Sequence, residues 1–260
     1  MKILVTFALD EEFAPWREMR KFERRKSGAS DAYWAQIGDG EVSVMLTGVG
    51  AKQPSFKFPR NIWVGTDALG FCVSSGLAGA LRPDYRLGQV LAARSVSAFS
   101  HVGGAAGQAL ECSSSLLSFA SECGATVANR FYTSGRVIAR AEEKRQLGHS
   151  SDAVEMESAG ILRAAMEEGI PAVAIRAISD LAEEDLPLDM SGVFNEEGRV
   201  SVPRVIGQVA LHPASIPSLV KLGKQSKLAA ESLARFMDQY VGMVAGRMKT
   251  LESKVEIAAR

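Results

Sequence analysis

Glu155 and Glu157 stand one residue apart in AVEMESAG (153–160), with Ala153 and Val154 ahead and the helix-like run AGILRAAMEEG behind. A charge pair on a solvated face is the plain reading of two nearby carboxylates, and these apolar flanks fit it badly. The pattern predicts a helix from near Ser158 as N-cap residue, where acidic groups lie close to the positive end of the helix dipole and stay ionised. On an extended lead-in, alternate side chains share a face, so Glu155 and Glu157 could address one ligand. Groups that only accept hydrogen bonds suit sugar hydroxyls, a cation or an activated water. The pair alone does not choose among these.

The elements that must position them alternate. Short β-rich runs at 2–9, 41–48, 69–75, 89–96 and 171–179 are interleaved with helical patterns near the start (EFAPWREMRKF), at 114–124, at 158–169 and along the C-terminal stretch. This predicts an α/β fold with a mixed, largely parallel central sheet flanked by helices in one domain over 1–245, then a polar tail, 246–260, with room for a helix extension. The segment 186–205, rich in turn residues, reads as an excursion. From Ile216 on, Leu219, Leu222, Leu228, Leu233, Phe236, Met237 and Val241 recur at helical spacing and read as core packing.

Ligands of open parallel sheets bind beyond the carboxyl ends of the strands, and that is where the unusual polar residues fall. The first strand ends in Asp10-Glu11-Glu12 and the second runs into TGVG (47–50). The third runs into SSGLAGA (74–80), and the late strand carries Arg176 and ends in Ser179-Asp180. Each piece alone is weak; an arginine in a strand is more commonly an ion-pair partner. Their convergence is the signal.

The totals remove other classes. Lysine plus arginine equals aspartate plus glutamate at 30 each, so no charge excess steers the chain to nucleic acid. The three cysteines cannot all pair within one chain and lack metal-ligand spacing, which predicts a reducing, cytoplasmic setting. His101, His149 and His212 are scattered, and no metal or cofactor is expected. No apolar run reaches the roughly 20 residues needed to span a bilayer.

FALDEEF, TGVG, SSGLAGAL, AVEMES and AIRAISD, in this order, resemble the purine nucleoside phosphorylase and nucleosidase superfamily, and within it the methylthioadenosine/S-adenosylhomocysteine nucleosidases, over about residues 1–185 and the final helix. The resemblance implies cleavage of the N-glycosidic bond of a purine nucleoside, a small-molecule substrate, with water or phosphate as co-substrate, by a homodimer. It gives Glu12 the activation of water and places Arg176 near that nucleophile. Met156 and Glu157 lie against the ribose, with Glu155 in support, and Asp180 serves the purine nitrogen with Ser179 beside it. Gly76, Leu77 and Ile138 complete the expected pocket. The chemistry fits: bond breaking makes the sugar cationic, which carboxylates stabilise, and makes the base anionic, which a protonated Asp180 offsets. Desolvation at the end of an apolar strand is expected to raise the Asp180 pKa enough for it to donate.

The chain departs from the family at four places. Ser74 stands where purine phosphorylases usually carry an arginine, which argues against tight phosphate binding. Leu77 stands where the hydrolases usually have a serine. Ile138, in TSGRVIAR (133–140), replaces an aromatic ring offered to adenine, and the loop after QVLAARSV is short, opening the 5′ side of the sugar. Hydrolysis is thus expected, with phosphorolysis as the alternative and a non-catalytic nucleoside-binding protein as the non-enzyme reading. The run from Asp185 to Gly223 also looks like the C-terminal part of hopanoid-associated nucleosidase/phosphorylase proteins, which act on an adenosine-bearing lipid. Lys221, Lys224 and Lys227 would suit such a ligand but read more simply as a solvated helix face.

Overall fold

The computed structural model describes residues 1–27, 30–50, 56–58, 69–98, 109–187 and 216–258. The loop after the QVLAARSV strand, most of the 186–205 excursion, His101 and His212 lie outside them, as does the central part of the hopanoid-like run.

Strand β1 (Lys2–Phe7) is flanked on both sides by parallel partners, β4 (Gly40–Leu46) and β5 (Leu69–Ala80). Four of its residues, Ile3 to Thr6, have no exposed surface, as expected of a strand covered on both faces. Beyond β4 the sheet continues antiparallel through β3 (Ser30–Ile37) to the charged edge strand β2 (Glu23–Ser27). On its other side β5 pairs in parallel with β10 (Ala172–Asp180), which turns antiparallel to β6 (Val90–Ala98). From β6 the order runs through β8 (Thr126–Thr133) to β9 (Ala153–Glu155), and β9 pairs back onto the far end of β5 at Gly79 and Ala80. The strands β5, β10, β6, β8 and β9 therefore close on themselves, removing free edges where the site lies. A two-residue strand, β7 (Leu110–Glu111), borders β6.

Helices α1 (Asp10–Met19), α2 (Ser114–Glu122), α3 (Ala141–Leu147), α4 (Ser158–Glu167) and α5 (Ile216–Ala258) surround the sheet. The expected mixed α/β fold is present, and five strands, β2, β3, β7, β8 and β9, add to those legible in the sequence. Helix α5 continues past Ala245 without a break to Ala258. It buries Leu233, Phe236, Met237 and Val241 as expected, whereas Leu228 is 48% exposed. The stripe departs there because Leu228 lies at the edge of the packed face, with Ala229 and Ala230 turned inward instead. Lys221, Lys224 and Lys227 are exposed, in keeping with a solvated face. Helix α1 docks on α5 through Asp238, which accepts from the Trp16 indole at 3.2 Å and pairs with Arg20 at 2.6 Å. Among the described residues no helix is long and apolar enough to cross a membrane.

Candidate active site

Glu12 is the third residue of α1, where a carboxylate can reach back to the helix start. Its Oε2 accepts from the backbone N–H groups of Ala8 at 3.0 Å and Leu9 at 3.2 Å. Its Oε1 accepts from the Leu77 N–H at 3.2 Å. That approach needs glycine beside Leu77. Gly76 adopts φ +147°, and a Cβ there would stand 3.2 and 3.3 Å from the two carboxylate oxygens. Burial pushes the Glu12 carboxyl above its ordinary range, against the pull of Arg176 and of the three N–H groups.

The AVEMES carboxylates divide their work. Strand β9 ends at Glu155, and the cap residue of α4 is Glu157, not Ser158, which already lies inside the helix. Glu155 supplies the capping acceptor: its Oε2 takes the N–H groups of Glu157 at 3.0 Å and Ser158 at 2.7 Å. Its other oxygen accepts the Thr133 hydroxyl. Glu157 instead accepts the Gly50 N–H at 2.9 Å, which brings the TGVG turn onto the same site.

Arg176 binds the pair together. It is fully buried, and its Nη2 donates to Glu155 at 2.7 Å, Ser158 at 3.0 Å and Ser74 at 3.2 Å. Glu157 Oε2 lies 3.6 Å from the same nitrogen. The guanidinium thus stands behind the carboxylates and does not line the cavity. The physical reason is the buried charge of Glu155, which would be unpaired without it.

A cavity of about 210 Å³ lies over these groups. Glu12, Leu77, Ile138, Met156, Glu157 and Asp180 all face it, as do Glu155 and Ser179. A groove of about 840 Å³ between α1 and α5 adjoins it and shares Leu9, Glu12, Leu77 and Ser226. On the Asp180 side the surroundings differ from the apolar ones expected. Fully buried Lys144 of α3 donates to Asp180 Oδ2, while Oδ1 takes the Ser179 hydroxyl at 3.0 Å. Thr133 and Lys144 were not singled out by sequence, and Gly50 only as part of the TGVG turn. Thr133 opens the TSGRVIAR stretch and could have been, but Lys144 sits in AEEKRQL, which reads as a solvated helix.

Burial, and then the neighbouring Glu155 and Glu12 carboxylates, push the Glu157 pKa from its ordinary 4.5 up to about 8, with Arg176 opposing. An acid whose folded-state pKa stands above its unfolded value holds its proton more tightly when folded. Its stabilising contribution is present below the unfolded value and is lost as pH rises through the folded one. The wild-type melting temperature is therefore expected to fall more steeply than that of Glu157→Gln as pH rises from about 4.5 to about 8. Parallel curves for the two proteins would contradict the burial of an ionisable Glu157.

A family model described as the Phosphorylase superfamily matches residues 2–206, and the chain belongs to that superfamily. The membership places it among enzymes, in keeping with the motifs. In fold it is similar to a 5′-methylthioadenosine/S-adenosyl homocysteine nucleosidase from Campylobacter jejuni (TM-score 0.67, 18% identity, covering 94% of this chain and 99% of that one). It is similar also to the Neisseria meningitidis nucleosidase in complex with methylthio-immucillin-A (TM-score 0.67, 20% identity, 93% and 99%). A futalosine hydrolase mutant from Helicobacter pylori matches with TM-score 0.65 at 18% identity, covering 93% and 98%. No curated protein matches the chain.

Proposed function

We propose that this chain hydrolyses the N-glycosidic bond of a purine nucleoside of the adenosine type. The observation that carries the reading is the charge balance of the site. Three carboxylates, Glu12, Glu155 and Glu157, surround one guanidinium whose Nη2 is committed to Glu155, Ser74 and Ser158. Among the described residues an attacking phosphate would meet acidic side chains on the cavity wall with no free cation to bind it, whereas water meets a base in Glu12 and a ribose turning cationic meets acidic oxygens. Among the described residues the cation lining the cavity, Arg136, is ion-paired with Glu143 and more than half exposed.

In this reading Glu12 takes a proton from the attacking water, held still by its three backbone donors. Glu157 accepts from the ribose hydroxyls beside Met156, and Asp180 protonates the departing base. Gly76 and Leu77 hold Glu12 in place, Ile138 covers the base, and Ser179 steadies Asp180. Cleavage needs no cofactor in this scheme.

Methylthioadenosine, S-adenosylhomocysteine and futalosine, which the proteins of similar fold act on, are the first substrates to try. The groove between α1 and α5 favours a second reading of substrate size: its apolar wall of Leu9, Pro15, Met19 and Leu77 begins at Glu12 and offers room for a bulky 5′ substituent, an adenosyl-lipid included. The test is incubation with adenosine derivatives of increasing 5′ bulk, with and without phosphate. Free base without phosphate supports hydrolysis. Phosphate-dependent release with a sugar 1-phosphate product overturns it.

A further inference from the structure

Lys144 is the one fully buried lysine among the described residues, and nothing in the scheme above uses it. Its three donors meet three acceptors: Asp180 Oδ2, the Leu181 carbonyl at 2.9 Å and the Glu184 carbonyl at 3.1 Å. With every proton spoken for and no atom on the cavity, it cannot touch a substrate itself. As a mere anchor for the turn after β10 it is costly, because burying an ammonium demands compensation that a neutral side chain would not. The turn also has a separate tether, from the Ala141 N–H to Asp185 Oδ1 at 2.7 Å. The other nearby charges are engaged elsewhere: Glu143 with Arg136, and the Glu184 carboxylate with Lys221 and Gln225. The backbone makes room for the pair, since a Cβ on Gly79 would stand 2.7 Å from Asp180 Oδ2.

We propose that Lys144 is the positioning residue of the leaving-group side: it fixes Asp180 through Oδ2, reserves Oδ1 for the base, and stabilises the carboxylate that remains once Asp180 has given up its proton. The inference rests on the nucleosidase reading. As the C1′–N9 bond breaks, its electron pair goes to the base and the proton on Asp180 Oδ1 passes to N7. Water bonds to C1′ and gives its proton to Glu12, and that proton returns to Asp180 through solvent. Lys144 keeps its three protons throughout. Its hydrogen bond becomes a full ion pair as Asp180 turns anionic, so the interaction is stronger in the transition state than before it and raises kcat.

The test is a double-mutant cycle of Lys144→Met and Asp180→Asn, read as the rate of base release. Lys144→Met alone is expected to lower kcat about 10- to 100-fold with KM little changed, the worth of a charged hydrogen bond. In the Asp180→Asn background the same change should alter kcat by no more than about twofold, because Lys144 acts only through that carboxylate. If Lys144→Met does not fold, Lys144→Gln, which keeps donors for the two carbonyls and removes the charge, enters the same cycle. Equal losses in both backgrounds, or wild-type turnover in Lys144→Gln, would overturn the proposal and leave the nucleosidase reading standing. A wild-type protein that releases no base from any nucleoside overturns that reading, and this inference with it.

Discussion

Glu12→Gln is expected to lower kcat about 10²- to 10⁴-fold, the range over which a positioned general base acts, with KM little changed. The substitution keeps the helix start, because glutamine at the third position of a helix also accepts from the residue before it, at the cost of turning its amide NH2 toward the Leu77 N–H. The bonds from Ala8 and Leu9 that start α1 are therefore kept. What is lost is the capacity to take a proton from water, on an oxygen that burial already makes more basic. Steady-state kinetics beside a melting curve separate the two effects. Full turnover with an unchanged melting temperature would show that water is activated elsewhere.

Arg176→Met is expected to act on the fold before the chemistry. Glu155 has no exposed side-chain surface, and the guanidinium it faces is equally buried. Removing one partner of such a pair costs roughly 3–5 kcal/mol, since the other charge is left uncompensated. For a chain of this size that is a fall in melting temperature of about 6–20 °C. Adding Glu155→Gln to Arg176→Met should restore part of the loss, because the stranded charge is then gone. A single variant that melts within about 2 °C of wild type would mean that Arg176 does not neutralise the AVEMES carboxylates.

How much of this was legible in the chain depends on range. Runs such as KILVTF and AVAIRAIS announce themselves because strands covered on both faces are continuously apolar. Strand β2, ERRKS, is charged along its length and sits at the sheet edge, so nothing apolar marks it. Strand β9 is three residues long and exists only because β5 and β8 flank it. The site carboxylates were visible because acids in apolar surroundings are anomalous at once. Arg176 was visible as an anomaly too, but its side of the carboxylates depends on Glu155 and Ser74, 21 and 102 residues away. Lys144 left no local trace: its helix is mostly charged, and the partner that buries it lies 36 residues on.

In the proposed reaction water, not phosphate, takes the sugar. The most direct measurement is a turnover of an adenosine-type nucleoside by the wild-type protein in ¹⁸O-labelled water without phosphate, with the sugar product analysed by mass. Free adenine and a sugar carrying one ¹⁸O at C1′ are expected, at a rate that added phosphate does not change. Release of adenine only when phosphate is present, with unlabelled sugar 1-phosphate as the product, would contradict it.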